Sequence, residues 1–400
     1  MDKVQRQYED FPYPERDPAD EKRRLVVGSP SYPFEIDHHL FGGKRDWKAG
    51  TSILVAGGGT GDGLVQMAQI LTNASAPYEI TYLDLSEKSR EIAEARIATR
   101  GLKGVRFHTD SLLNAADYGK FDYIDCCGVL HHLPEPQAGF DALASALAPK
   151  GGMGLMVYAP HGRSGVYPLQ DAFNALTDGM TPEEAIAVAR KILAKLPEGH
   201  PFKRNQQLVD HEVSDAGFLD LLLHGRDRPY TVTQLQEAIE GAGLSCVAMI
   251  PPAQYDPAPF LPKGLAPELG PRAAMQAAEN LRGTIKVHIA YATWPDRAEA
   301  ALARPKDLSL VPHLKGVAGS ALAKAIAAKG QVNMTLGGES LRLSLPKKAA
   351  PLLAGIDGKA SLSAIAKRRG MDPFAFGALW AELDRVLAGW GLLHYSSLVP

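Results

Sequence analysis

Several residues in this 400-residue chain are of types, and at spacings, that could do chemistry. His131 and His132 adjoin in "GVLHHLPEP", and an imidazole titrating near 6.5 can take a proton close to neutral pH. Either is a candidate general base, although a histidine beside a ligand often only packs or hydrogen-bonds. Asp84, in "YLDLS", follows Gly61 by 23 residues. A carboxylate there, with Leu85 next to it, can accept hydrogen bonds from both hydroxyls of a ribose. Asp110 and Ser111, in "HTDSL", offer a carboxylate for an adenine amino group and an amide for a ring nitrogen. Ahead of them stands "ILVAGGGTGDGLVQMA", where Gly57, Gly59 and Gly61 let the backbone approach a ligand and open a helix with unpaired amides. That turn alone fits a bare strand-to-helix connection as well as a site for an adenine-nucleotide-like ligand. The acids that follow it at successive strand ends favour the ligand.

Further candidates face the same edge. The stretch "QYEDFPYP" (7–14) holds Tyr8, Phe11 and Tyr13, more aromatic surface than a disordered arm needs. These could close over a ligand, with Tyr8 as a hydrogen-bonding lid, or simply pack on the domain. In "YAPHGRSGVYPLQ" (158–170), His161, Arg163 and Tyr167 are candidate substrate contacts, and Arg163 could hold a carboxylate or phosphate in a bidentate pair. In "LHGRDRPYT" (223–231), His224 is a further substrate candidate, while Asp227 and Arg228 read better as an internal ion-pair cluster. No metal site is expected: His38–His39 and His211–Glu212 are sequence neighbours, and neighbours in a strand point to opposite faces.

The elements that must position these residues alternate. Short apolar runs predict strands at 51–57, 78–86, 105–110, 121–129, 152–159, 245–250 and 284–293. Helical patterns lie between them at 63–71, 87–101, 140–152, 231–244 and about 271–281. Such alternation predicts an α/β fold, a seven-stranded, mostly parallel sheet with helices on both faces. Residues 1–50 read as an irregular arm or lid with one helix, 51–295 as the sheet domain, and 162–230 as a helical insertion over the strand ends. Residues 296–330 read as a linker and helix. In 331–400, "VNMTLGGESLRLSL" predicts a hairpin with a Gly-Gly turn, followed by two helices and a strand, a small α+β unit.

Taken in order, "LVAGGGTG…YLDLS…HTDSL…FDYIDCCGVLHHLPEP…LAPKGGMGLMVYA" resembles the class I S-adenosylmethionine-dependent methyltransferases over roughly residues 40–295. The resemblance implies a Rossmann-like sheet and S-adenosylmethionine as cofactor. Gly57, Gly59 and Gly61 would line its methionine part, Asp84 and Leu85 its ribose, Asp110 and Ser111 its adenine, and Gly128 and Val129 would sit beneath the sulfonium. One departure stands out. The family usually has an acid two residues before the first glycine, near the methionine ammonium, and this chain has Val55. Backbone carbonyls or a group from elsewhere must then hold that charge. The stretch "LLAGIDGKASLSAIA" loosely resembles winged-helix peptide-recognition elements of enzymes that modify ribosomal peptides, which bind an added strand along an exposed edge. Dimerisation or packing is the plainer role for that winged-helix-like unit.

Composition bounds the rest. A net charge of -2 gives no basic field for nucleic acid, and 45% apolar with 22% charged residues is ordinary for a globular protein. Three cysteines without CxxC spacing argue against a disulfide framework or thiolate zinc site. With no signal-like start and no long apolar run, a cytoplasmic setting without membrane contact is expected. The expected activity is methyl transfer to an oxygen or nitrogen nucleophile. A protein or peptide acceptor, a small metabolite, and a non-catalytic cofactor-binding protein all stay open, as does a homodimer.

Overall fold

Thr51–Ala56 (β1) has no polar face, so a sheet built on it must be covered on both sides. Leu54 and Ala56 join one core cluster with Ile124, Cys126 and Leu155, while Ile53 and Val55 join another with Tyr82 and Tyr123. Leu54 is wholly buried, so truncating it to alanine would cost roughly 2–5 kcal/mol. The computed structural model describes residues 3–336 and 339–399.

The remaining strands of the main sheet are β2 (Tyr78–Asp84), β3 (Val105–Thr109), β4 (Phe121–Cys127), β5 (Leu147–Tyr158), β6 (Ser245–Ile250) and β7 (Val287–Thr293). Their spatial order is β3-β2-β1-β4-β5-β7-β6. Only β7 runs against its neighbours, so the sheet has the seven strands and mostly parallel sense expected from the sequence. The order reverses between β1 and β4, which opens a crevice beyond the carboxyl ends of those strands.

Helices α1 (Lys3–Asp10) and α2 (Pro33–Leu40) precede the sheet. Along it lie α3 (Asp62–Asn73), α4 (Glu87–Thr99) and α5 (Pro136–Ala146), and then α6 (Val166–Leu176) and α7 (Pro182–Lys195) begin the insertion. Start signals in the sequence set these boundaries. Ser86 caps α4 by accepting from the Ser89 amide, and Thr181 with Glu184 forms a capping box on α7, each cap worth about 1 kcal/mol. The insertion is helical, as expected, and builds its own core from Val166, Phe173, Ile186, Phe218 and Leu222, against which Phe11 of the arm packs.

Two regions depart from expectation. Residues 1–50 hold, among those described, two α-helices where one was expected, and all eight residues of the second, 33–40, are buried. Asp37 there accepts from Trp47 Nε1 at 3.1 Å, the Ser396 hydroxyl at 2.7 Å and the Ser397 amide at 2.9 Å, tying the start of the chain to its end. His38 and His39 thus lie on a helix, so the strand-parity argument against a shared ligand does not apply to them. His38 Nδ1 accepts from the Tyr395 amide at 3.1 Å, and His39 stacks on Tyr291.

The second departure is the start of the C-terminal unit. Ala303, Leu310, Leu322 and Ile326, placed by sequence in a linker and helix, are part of its core with Trp380 and Leu383. Its strands form two separate pairs, β8 (Pro312–Leu314) with β11 (Leu393–Tyr395), and β9 (Gln331–Leu336) with β10 (Glu339–Ser344). The unit keeps the expected hairpin-then-helices order but splits its strands between two sheets. The Gly-Gly turn expected at 337–338 lies outside the described residues. Among those described, no helix is long and apolar enough to cross a membrane.

Candidate active site

The glycine turn closes one side of a cavity of about 530 Å³ at the switch point of the sheet. Gly57 has φ +67°, and a Cβ there would stand 2.4 Å from Val129 Cγ2. The loops after β1 and β4 touch at that point, which explains why only glycine fits. Gly61, at φ +96°, turns the chain into α3 without a side-chain cap and stands outside the lining, whereas Gly57, Gly59, Gly128 and Val129 line the cavity.

Asp84, at the end of β2, is pinned from two sides. One oxygen accepts from the Gly59 amide at 2.7 Å and the other from the Ser86 amide at 2.9 Å. Burial nevertheless pushes its carboxyl up to about 6. Leu85 beside it is largely exposed, and its carbonyl accepts from Gln5 Nε2. Asp110 accepts from the Tyr118 hydroxyl at 2.8 Å, the Ser111 amide at 2.7 Å and Asn114 Nδ2 at 2.9 Å, bonds that hold its carboxyl below the usual range. Asp84, Leu85, Asp110 and Ser111 all line the cavity.

The arm crosses over this edge. Glu9 accepts from the amides of Glu87 and Lys88 and so caps α4 from outside, Ser86 donates to the Tyr8 carbonyl, and Thr60 donates to the Pro14 carbonyl at 2.7 Å. Arg16 grips both oxygens of Asp62. Tyr8 and Tyr13 reach the cavity from the arm.

The opposite wall is a buried polar network. Asp220, from the helix Asp215–Leu222, accepts from Tyr8 and Tyr158, each at 3.1 Å, and burial holds its carboxyl above the usual range. His132 Nδ1 lies 2.9 Å from the Arg226 carbonyl. A carbonyl only accepts, so in the neutral ring Nδ1 carries the proton and Nε2 keeps a lone pair. His224 is the converse: its Nδ1 accepts from the Arg226 amide at 3.0 Å, leaving the proton on Nε2, 3.4 Å from the Tyr8 hydroxyl. The two rings stack with centroids 3.9 Å apart. Ligand atoms of His132, Asp220 and His224 fall within 4.8 Å of one another, the spacing of a metal site. The His224 tautomer aims an N–H, not a lone pair, into that space, which suits a hydrogen-bond network and not a cation.

Not every predicted contact reaches the cavity. Tyr8, Tyr13, His132 and Arg163 do. His131 is fully buried between His132 and Tyr158 with neither ring nitrogen partnered among the described residues, and burial keeps it neutral by holding it well below its usual range. His224 sits behind His132, His161 is exposed away from the lining, and Tyr167 packs near Arg163. Arg163 itself pairs with Asp227 at 3.2 Å and lies 3.7 Å over the Tyr158 ring, so its charge is already matched. The ion-pair role foreseen for Asp227 holds, but with Arg163 as partner. Tyr158, Met156, Asp125 and Asp220 line the cavity without having been singled out. A lone carboxylate in the apolar run "GFLDLLL" was the available signal for Asp220.

Residues 54–153 match the family model of a methyltransferase domain. An uncharacterised protein of Synechococcus sp. is 34% identical over 200 residues, and one of Rickettsia prowazekii is 32% identical over 114. Those matches span 48% and 26% of this chain, and 47% and 20% of the two relatives, so the chain aligns with half or less of each relative's length. Among solved structures, PKMT2 from Rickettsia typhi in complex with AdoHcy superposes with a TM-score of 0.62 at 16% identity, covering 92% of this chain and 76% of that one. A second structure of PKMT2 gives the same score over 94% of this chain and 78% of that one. The shared fold therefore extends well past the sheet domain.

Proposed function

We propose that this chain, which carries a class I S-adenosylmethionine-dependent methyltransferase domain, is an enzyme that methylates a nitrogen or oxygen nucleophile, with a protein or peptide side chain as the favoured acceptor. The observation that carries the reading is a single cavity lined at one end by Gly57, Gly59, Asp84, Asp110 and Ser111, and at the other by Tyr8, Tyr13, His132, Tyr158 and Asp220. The residues suit the cofactor: a Cβ would fill the cradle at Gly57, and Asp84 is fixed by backbone amides at the level a ribose would occupy.

S-adenosylmethionine supplies an electrophilic methyl on a sulfonium. The protein has to align the acceptor, exclude water and take a proton. His132 offers the lone pair of Nε2, with its tautomer fixed by the Arg226 carbonyl. Asp220 fixes the hydroxyls of Tyr8 and Tyr158, so both rings wall the acceptor channel in set positions. The arm excludes solvent by its bonds to Thr60, Ser86, Glu87 and Lys88. That same clasp favours a second reading, a small-metabolite acceptor, because it narrows the approach.

Calorimetric titration with S-adenosylhomocysteine tests the cofactor. Transfer of a labelled methyl group to protein, peptide and small-molecule fractions then separates the acceptors. Binding together with label in protein or peptide is the expected result; label confined to small molecules selects the second reading. Absence of binding overturns both.

A further inference from the structure

The family resemblance left a charge unaccounted for, since Val55 stands where an acid usually meets the methionine ammonium. The sheet brings another acid to the same level. Asp125 on β4 is the register partner of Val55 across the parallel β1–β4 pair. Paired residues share a face, and neighbouring strands are roughly 4.8 Å apart. Asp125 is 2% exposed, yet it lines the same cavity as Gly57 and Gly59.

Its two oxygens differ. Oδ2 accepts from the Ser31 hydroxyl at 2.7 Å, whereas Oδ1 has no partner among the described residues, the neighbouring Tyr123 hydroxyl donating to the Pro30 carbonyl at 2.8 Å. The cations near that end of the cavity are engaged elsewhere, Arg16 with Asp62, and Arg96 with Glu21 and Asp62. Space has also been left. A Cβ at Gly63 would stand 2.6 Å from Asp125 Oδ2 and 2.4 Å from Ser31 Oγ, so glycine at the second position of α3 is what admits the pair. A buried carboxylate with one oxygen unmatched is costly unless a cation arrives to meet it.

We propose that Asp125 replaces the acid missing at Val55 and receives the α-ammonium of the cofactor's methionine portion on Oδ1. Ser31 positions the carboxylate for that contact. This rests on the methyltransferase reading and adds to it a residue that the reading did not assign.

Burial pushes the Asp125 carboxyl up to about 7. The titratable groups beside it are Tyr123, Cys126 and Cys127 on the same strand and Tyr291 from β7, with Asp62 at the start of α3 and Glu35 from α2 one neighbour further out. None supplies a positive charge. An ammonium on Oδ1 would therefore draw the carboxyl down, and affinity must rise with pH through this range.

The test compares two probes on the full chain, S-adenosylhomocysteine and 5′-methylthioadenosine, which lacks the amino-acid portion. Asp125→Asn and Asp125→Ala should each weaken the first at least about tenfold and the second by less than about twofold. In the unsubstituted protein the ratio of the two affinities should fall about tenfold between pH 8 and pH 6, and stay flat in Asp125→Asn. Asp84, raised to about 6, affects both probes alike and cancels from the ratio. Either variant retaining S-adenosylhomocysteine affinity within about threefold overturns the assignment, as does equal loss of both probes. An unsubstituted protein that binds neither probe overturns the methyltransferase reading itself.

Discussion

The two ends of the cavity are built from different materials. The cofactor end is glycine backbone and strand-end carboxylates, set by the loops after β1, β2, β3 and β4, whose carboxyl ends share one edge of the sheet. The opposite end is mostly side chain, and its members come from distant segments: Tyr8 from the arm, Tyr158 from β5, Asp220 from the insertion. Sheet geometry places the first, with Arg16 and Ser31 reaching it from outside the sheet. The second exists only while arm, strand and insertion stay docked on one another. Binding the cofactor and turning it over should therefore be separable by substitution.

The largest effect should come from the side-chain end. Replacing His132 by glutamine removes the Nε2 lone pair and should lower turnover by roughly 10²–10⁴, the range for a positioned general base. Affinity for S-adenosylhomocysteine should stay within about threefold. A variant that loses cofactor affinity in parallel with turnover would erase the distinction between the two ends.

Gly57→Val attacks the other end. The side chain would demand a left-handed residue and overlap Val129, a cost of about 2–4 kcal/mol. Affinity for S-adenosylhomocysteine should fall about 30- to 1,000-fold in a protein that remains folded by circular dichroism. Unchanged affinity would mean that the touching loops do not shape the cofactor site.

The same contrast decides what could be read from the sequence. Gly57, Asp84 and Asp110 were legible because strand periodicity fixes where each strand ends, and ends of parallel strands share one edge. Asp220 and Tyr158 were not, because their meeting with Tyr8 depends on packing across more than 200 residues for Tyr8 and Asp220. His161 and His224 were plausible by type, but rotation of their segments, which no local pattern records, directs one to solvent and the other behind His132. The C-terminal unit began earlier than expected because β8 is only three residues long and carries no period of its own. Asp125 hid in an apolar strand, where register with Val55 is visible only once β1 and β4 are paired.

Tyr8 joins the two ends, since its hydroxyl binds Asp220 while its carbonyl accepts from Ser86. Tyr8→Phe keeps the ring and the carbonyl but leaves a buried carboxylate oxygen without its donor. A bond to a charged acceptor is worth about 1.5–3 kcal/mol. Turnover should fall about 10- to 150-fold, with a much smaller change in cofactor affinity. Equal falls in both would show that the arm acts as one rigid cover and not as a hinge between separable ends.

Acidification should divide the ends most gently. Burial holds His131 and His224 well below their usual range, so each is neutral when folded and gains a proton on unfolding near 6.5. Their stabilising contribution is complete above that value and is lost as pH falls toward the folded value. Each should lose about 0.7 kcal/mol between pH 7 and pH 6, about threefold in an opening equilibrium. Asp220, held above its range, offsets part of this. At the cofactor end the sign reverses, because the raised carboxyls of Asp84 and Asp125 stabilise the fold at low pH and lose that contribution as pH rises through about 6 and about 7. Amide exchange in the cofactor-free protein, corrected for its intrinsic pH dependence, should therefore speed up in α6 and in 215–222 on going from pH 7 to pH 6 relative to β1 and β2. Uniform change across all four segments would mean that they open as one unit, and that the division between the two ends has no energetic counterpart.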